Sequence, residues 1–285
     1  MHILSIQSSV AYGHVGNSSA TFPLQRLGIE VSPVLTVHFS NHTGYGSWRG
    51  PVLAARDVAD VLTGIGERGV FGTVDAVLSG YMGDAGIAEV ILDAVTKVKA
   101  ANPRAVYCLD PVMGDTRTGV YVQERIPPLI ADLAVPVADL TTPNQFELEY
   151  LTGHRVSTVP EAVAAAAELR TRGPEVMLVT SLATADLPGD EIALLATSSE
   201  EAYLVSTPRL PLDLDGSGDM AAALFLAHWL RTGSLSTAVT RTANSVYAVL
   251  EETWRRGASE IQQVAAQDAI AVPPTRFKPV RVPAS

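Results

Sequence analysis

Cysteine and lysine are nearly absent from this chain of 285 residues. The single cysteine, Cys108 in "AVYCLDP", rules out intramolecular disulfides and thiolate zinc clusters. Its apolar strand setting reads as a buried, inert thiol. The only lysines are Lys97, Lys99 and Lys278, and the formal net charge is −10. That charge, with no basic run to track a phosphate backbone, argues against nucleic acid as a partner. No apolar stretch reaches bilayer length; the longest, around "MAAALFLAHWL", is the size of a core helix, so no membrane partner is expected. The opening "MHILSIQSS" has no basic segment followed by an apolar run, so no secretory signal is expected and a cytoplasmic location is. Several catalytic signatures are missing too. There is no Gly-Lys-Ser/Thr, so "GHVGNSSATFP" is not a Walker A loop, and no strand-linked G-x-G-x-x-G marks a dinucleotide site. No H-E-x-x-H suggests zinc and no G-x-S-x-G a serine hydrolase.

What remains is a chain 47% hydrophobic, ample for one large core. No Gly-, Ser- or Pro-rich linker and no fixed-period repeat divides it, so residues 1–285 are expected to form one domain. Short apolar segments ("HILSIQSS", "IEVSPVLTVHF", "DAVLSGYM", "AVYCLDP", "ADLTT", "EVMLVTS") alternate with helical ones. The clearest helices are "NSSATFPLQRLG", closing at Gly28, residues 56–68, "AGIAEVILDAVTKVKAANP", ending before Pro103, and "PEAVAAAAELRTRGP", stopped by Gly173. "EIALLATS" and "EAYLVSTP" suggest an antiparallel pair, helix dominates from 219 to about 253, and "SEIQQVAAQDAIAVP" closes the chain. Strand–helix alternation of this kind implies α/β architecture, with a mostly parallel sheet covered by helices. Ligands then bind beyond the carboxyl ends of strands, at "FSNHTGYG", "SGYMGD", "DPVMGD", "TTPNQFE" and "VTSLATAD".

Three of the polar segments could carry phosphate chemistry. In "DGSGDMAAALF", Gly216 and Gly218 permit a tight turn into a helix, and the free amides of residues 216–219 could hold an anion. Asp219 at that helix start needs another task beside an anion; accepting a hydroxyl proton during phosphoryl transfer is one, and a plain cap with turn glycines is the other. In "DPVMGD", Asp110 and Asp115 are candidates for a hard cation or for ordinary turn chemistry. In "TTPNQFELE", Asn144 and Glu147 share a helix face, where they could serve phosphate and magnesium or simply form a capping box.

Together these segments resemble the pyridoxal kinases of the ribokinase-like superfamily, over nearly the whole chain. The resemblance rests on "ILSIQSSVAYGHVGNSSATFPLQRLG", "TVHFSNHTGYGSWRG", "VLSGYMGD", "KAANPRAVYCLDPVMGD", "VADLTTPNQFELEYLTG", "GPEVMLVTS" and "DGSGDMAAA". It implies a ribokinase-like three-layer α/β/α sandwich and ATP-dependent phosphorylation of the 5′-hydroxymethyl group of pyridoxal, with pyridoxine and pyridoxamine usually accepted. It also implies Asp219 as general base and the amides of Gly216, Ser217, Gly218 and Asp219 as an anion hole. Ser8, Val15, His42, Thr43 and Tyr81 would line the vitamin pocket. Asp110, Asn144 and Glu147 would handle Mg²⁺-ATP, with Asp110 and Glu147 on the metal side. Asp115 and Tyr121 would reach over the phosphates, and Thr142, Thr180, Ser181 and Ser217 would stand near the nucleotide. A monovalent cation such as K⁺ often assists in the family, and members are typically homodimers. The chain departs from relatives in 182–215, which is short and lacks lysine where the nucleotide is often covered. Two other functions fit the same segments. One is a kinase for hydroxymethylpyrimidine or another small alcohol, a branch that commonly has cysteine at the position of Asp219. The other is a non-catalytic vitamin B6-binding protein on the same fold.

Overall fold

The computed structural model describes residues 1–284. β1 (His2–Val10), α1 (Asn17–Arg26) and β2 (Glu30–Phe39) form the first parallel unit. α2 (Ala55–Glu67) leads to β3 (Ala76–Ser79), α3 (Gly86–Ala101) to β4 (Val106–Leu109). A small hairpin of β5 (Gly114–Asp115) and β6 (Gly119–Val120) follows, and then α4 (Ile126–Leu129), which runs on through irregular helical turns to Val137. β7 (Leu140–Thr141), α5 (Gln145–Thr152), α6 (Val159–Arg170) and β8 (Val176–Leu182) complete the parallel part. β9 (Glu191–Thr197) and β10 (Ala202–Pro208) precede α7 (Ser217–Thr232), α8 (Leu235–Arg256), α9 (Gln267–Ala271) and β11 (Val280–Val282).

Nine strands make one sheet in the order β11-β10-β9-β8-β7-β4-β3-β1-β2. Pairings from β2 to β8 are parallel, and those joining β8, β9, β10 and β11 are antiparallel. The sheet is buried on both faces, which is why its central strands read as continuous apolar runs. Leu4, Ile6, Val77, Tyr107, Met177 and Val179 face one layer, built from α2, α3, α5 and α6. Ile3, Leu78, Cys108, Val176 and Leu178 face the other, built from α1, α7 and α8. The three-layer sandwich and the mostly parallel sheet therefore stand as expected, and the pair over residues 191–208 is antiparallel.

Local chemistry explains most boundaries. α3 buries Ile87, Ile91, Ala94, Val95 and Val98, a spacing of three and four that aligns them on one face. α6 begins with a capping box of Thr158 and Glu161. The helical stretch expected from 219 to about 253 consists of two helices, because Gly233 adopts φ 59° and ends α7 before Ser234 caps α8. The β5–β6 hairpin, α4 and β11 had no counterpart in the sequence reading. α4 carries Pro127 and Pro128, poor helix formers that sit here in its first turn, where no amide is missed.

The chain reverses direction across the sheet at β1. It moves outward through α1 to β2, then back over β1 through α2 to β3, and the two helices lie on opposite faces. Right-handed crossovers require that change of face. A crevice opens at the carboxyl ends of β1 and β3, where such a switch places ligands.

Candidate active site

A cavity of about 120 Å³ occupies that crevice. Its apolar wall is Val10, Val15, Val37, Phe39, Tyr81 and Val112; its polar groups are Ser8, His42, Thr43, Tyr121, Asp215, Gly216 and Asp219. A second cavity of about 600 Å³ lies beside it, toward β8–β10 and α8. Thr180, Ser181, Ser217 and Gly218 line it, with Leu194, Leu212, Leu214, Val246, Tyr247 and Leu250 as apolar surface. The glycine turn at the start of α7 is the wall between them. Gly216 and Asp219 face the smaller space, Ser217 and Gly218 the larger.

The turn is held by the N-terminal loop. Gly216 adopts φ 87°, and a side chain there would collide with the His14 carbonyl. The Gly216 carbonyl accepts a 2.7 Å hydrogen bond from Ser19 Oγ on α1. No side chain caps α7, so its first amides stay free at the junction of the two cavities. The Gly16 amide and the residue's own backbone amide, both near the Asp219 carboxyl, act to lower its pKa. Burial nevertheless pushes its carboxyl up to about 6, against the lowering pull of those amides and of His42. A base poised near neutrality therefore stands at the helix start.

Behind the turn lie the other carboxylates. Asp110, at the end of β4, is buried and accepts a 3.0 Å hydrogen bond from Thr142 Oγ1. Burial, and then the charges of Glu147 and Asp219, push its carboxyl well above the usual range. Glu147 is buried as well. It forms the capping box of α5 with Asn144, and its oxygens accept the amides of Met113 and Asn144, each at 2.9 Å. Burial again raises its carboxyl, opposed by those amides. Asn144 Nδ2 also donates to the Gly114 carbonyl at 2.8 Å, which fixes the root of the β5–β6 hairpin.

The sequence-derived residues thus separate into three groups. Ser8, Val15, His42, Thr43, Tyr81, Gly216 and Asp219 line the smaller cavity, and Thr180, Ser181, Ser217 and Gly218 the larger. Ser181 is the one non-glycine residue among those described with positive φ, 52°, a strained backbone at a ligand-facing position. Asp110, Thr142 and Glu147 are buried, with the half-buried Asn144 beside them. Tyr121 also lines the smaller cavity, on the same wall as Asp219. The Asp115 carboxylate is taken up by its own turn, accepting from the Arg117 amide at 2.8 Å, the Thr118 amide at 2.7 Å and Thr118 Oγ1 at 2.9 Å.

Sequence reasoning missed Asp215, Arg117 and Glu260. Asp215 lies 3.0 Å from His42 Nδ1, and Arg117 on the hairpin pairs with both Asp213 and Asp215. Glu260, beyond α8, accepts from Tyr45 Oη at 2.6 Å and from the His14 amide at 3.1 Å, so it ties two cavity loops together. The extra carboxylates of "DLDGSGD" were a visible signal for Asp215; nothing local marks Glu260, because its partners are more than 200 residues away.

A fold with this switch-point crevice and a glycine turn between two cavities defines a small-molecule kinase of the ribokinase-like class. Residues 70–264 match the family described as phosphomethylpyrimidine kinase. A pyridoxal kinase of Rubrobacter xylanophilus is 62% identical over 99% of this chain and 97% of its own. One of Leifsonia xyli is 54% identical over 99% of this chain and 100% of its own. The pyridoxal kinase from Leishmania donovani, solved with ADP and pyridoxine, superposes with a TM-score of 0.92 at 28% identity, covering 99% of each chain. The chain belongs to the pyridoxal kinase family.

Proposed function

We propose that this chain transfers the γ-phosphoryl group of ATP to the 5′-hydroxymethyl group of pyridoxal, and of pyridoxine and pyridoxamine. The observation that carries this reading is the shared wall: one turn presents a carboxylate to the smaller cavity and free amides to the junction with the larger. The relatives support the choice of substrates, since the Leishmania donovani kinase is solved with ADP and either pyridoxine or pyridoxamine.

In this reading the vitamer occupies the smaller cavity, its ring against Val15, Phe39 and Tyr81, and its hydroxymethyl arm at Asp219. The nucleotide occupies the larger one, its base on the apolar surface around Leu194 and Leu250. Asp219 takes the hydroxyl proton as that oxygen attacks phosphorus, and the amides of Gly216 to Asp219 stabilise the charge on the transferring oxygens. Positioning and charge neutralisation carry the rest, as phosphoryl transfer demands.

Mg²⁺ fits the residues present. Two buried carboxylates with raised pKa values stand close together, and a cation relieves that repulsion. No cluster of three or more acidic, His or Cys ligands occurs among the described residues, which suits a metal that keeps its waters and phosphate ligands. Asp110 would hold it directly or through water. Glu147, whose oxygens already accept amides, would act through water only. When bound, the ion neutralises phosphate charge. K⁺ assistance, a homodimeric assembly and a cytoplasmic location belong to the same reading; among the described residues no helix is long and apolar enough to cross a membrane.

The test is ADP release coupled to a second enzyme, with Mg²⁺-ATP and each vitamer, against hydroxymethylpyrimidine as competitor. Turnover of at least one vitamer with higher kcat/KM than the pyrimidine is expected. Preference for the pyrimidine would move the chain to the sister activity, and binding without turnover would make it a carrier.

A further inference from the structure

The smaller cavity is lined by two carboxylates, Asp215 and Asp219, and by no lysine or arginine. His42 is the only lining side chain that can carry positive charge. Its Nδ1 lies 3.0 Å from Asp215 Oδ2 and 3.0 Å from the Gly44 amide. One ring nitrogen cannot donate to the first and accept from the second. The ionised carboxylate is the stronger partner, so the proton sits on Nδ1 and points at Asp215. Nε2 has no protein partner among the described residues and is left for a ligand.

We propose that Asp215 is a positioning residue that holds His42 as the cation of the vitamer cavity, with Nε2–H available to the deprotonated phenolic oxygen of a hydroxypyridine substrate. This rests on the function proposed above and adds a determinant of how the substrate's anionic edge is recognised. A phenolate beside two carboxylates would be repelled without a cation, and no fixed cation lines the cavity. An imidazolium supplies one that is small and planar.

The surroundings of the ring agree. Asp215 raises the His42 pKa by hydrogen bond and charge, Asp219 and Glu260 raise it by charge, and burial opposes them. The Asp215 carboxyl is in turn held below its usual value by His42 and Arg117, against burial. Tyr45, hydrogen-bonded to Glu260, and Tyr81 and Tyr121 on the cavity wall are neutral neighbours. Arg117 is a fixed cation beside the pair; it reaches Asp215 at 3.6 Å from the hairpin and does not line the cavity.

The experiment pairs histidine titration with kinetics. The His42 imidazole is followed by NMR in the ligand-free enzyme, assigned with His42→Gln, in wild type, Asp215→Asn and Asp215→Glu. The midpoint is expected above the ordinary value of about 6.5 in wild type, lower by about one pH unit or more in Asp215→Asn, and restored in Asp215→Glu. At pH 7.5, Asp215→Asn should raise the pyridoxal KM about tenfold, the loss of one charge-assisted hydrogen bond, and change the ATP KM less than about twofold. The KM defect should shrink as pH falls through the variant's own midpoint, where His42 becomes protonated without Asp215.

A common midpoint in wild type and Asp215→Asn overturns the proposal, as does a KM defect equal at every pH, which marks mere structural damage. Should Asp215→Asn fail to fold, the wild-type midpoint decides alone: at or below about 6.5 the proposal is wrong. Because the titration needs neither substrate nor turnover, it separates the two claims. A shifted midpoint in an enzyme that phosphorylates no vitamer removes the functional reading and the phenolate with it. Turnover with an unshifted midpoint removes only the pair.

Discussion

Replacing Asp219 with asparagine removes the proposed base while keeping its shape. With its carboxyl at about 6, Asp219 is more than nine-tenths ionised at pH 7.5, so wild type loses little of its base there. General base catalysis is worth about 10²–10⁴ in rate, or ~3–5 kcal/mol of barrier. Asp219→Asn should therefore lower kcat by about that factor, while the KM values for pyridoxal and ATP move less than about threefold. The assay is steady-state ADP release from pH 5 to 8.5. Wild-type kcat/KM should climb as pH rises through about 6 and then level, because the active form of the free enzyme is the deprotonated one; the variant should lose that limb. A kcat loss below about tenfold, or an equal loss carried by KM, would refute the assignment and place Asp219 in recognition.

The same carboxyl predicts a stability effect of known sign. Its folded pKa lies above the unfolded value, so the native state binds the proton more tightly and stability falls as pH rises from about 4 to 6. Asp219→Asn should then melt higher than wild type at pH 7.5 and nearly equal to it at pH 4, and a lower Tm at pH 7.5 would contradict the burial argument. The two glycines of the turn should behave differently. Gly216→Ala meets the His14 carbonyl at a positive φ and should destabilise the fold by about 2 kcal/mol or more, seen as a fall in Tm. Gly218→Ala has open space and an ordinary φ, so Tm should hold while the ATP KM or kcat worsens; unimpaired turnover would mean that no phosphate approaches Gly218. Glu147→Gln should raise the Mg²⁺ concentration needed for half-maximal rate about tenfold, as water-bridged ligands commonly do on loss. An unmoved metal requirement would return Glu147 to helix capping alone.

Much of the site was legible because its signals are local. A helix that starts on Gly216 with Asp219 in its first turn needs only four consecutive residues, and the capping box of Asn144 and Glu147 needs four more. Strand ends could be located from apolar periodicity, whereas the switch at β1 needs the strand order, which only the tertiary structure supplies. The hairpin at 114–120 was missed because its strands are two residues each, too short for any period to register. For Asp115 the sequence left a hard cation and ordinary turn chemistry open, and its turn supplies three donors to the carboxylate.

By itself, then, the sequence settled what depends on neighbours along the chain: the alternation of strand and helix, the double-sided burial of the sheet, and the glycine turn with its carboxylate. Only the tertiary structure decided which distant groups face one another. It set Asp215 against His42, brought Glu260 under Tyr45 and His14, and laid β11 along the sheet edge. Local patterns reflect steric and hydrophobic preferences of a few residues, but the charge state of a cavity depends on every ionisable group within a few ångströms, and chain closure alone fixes which those are.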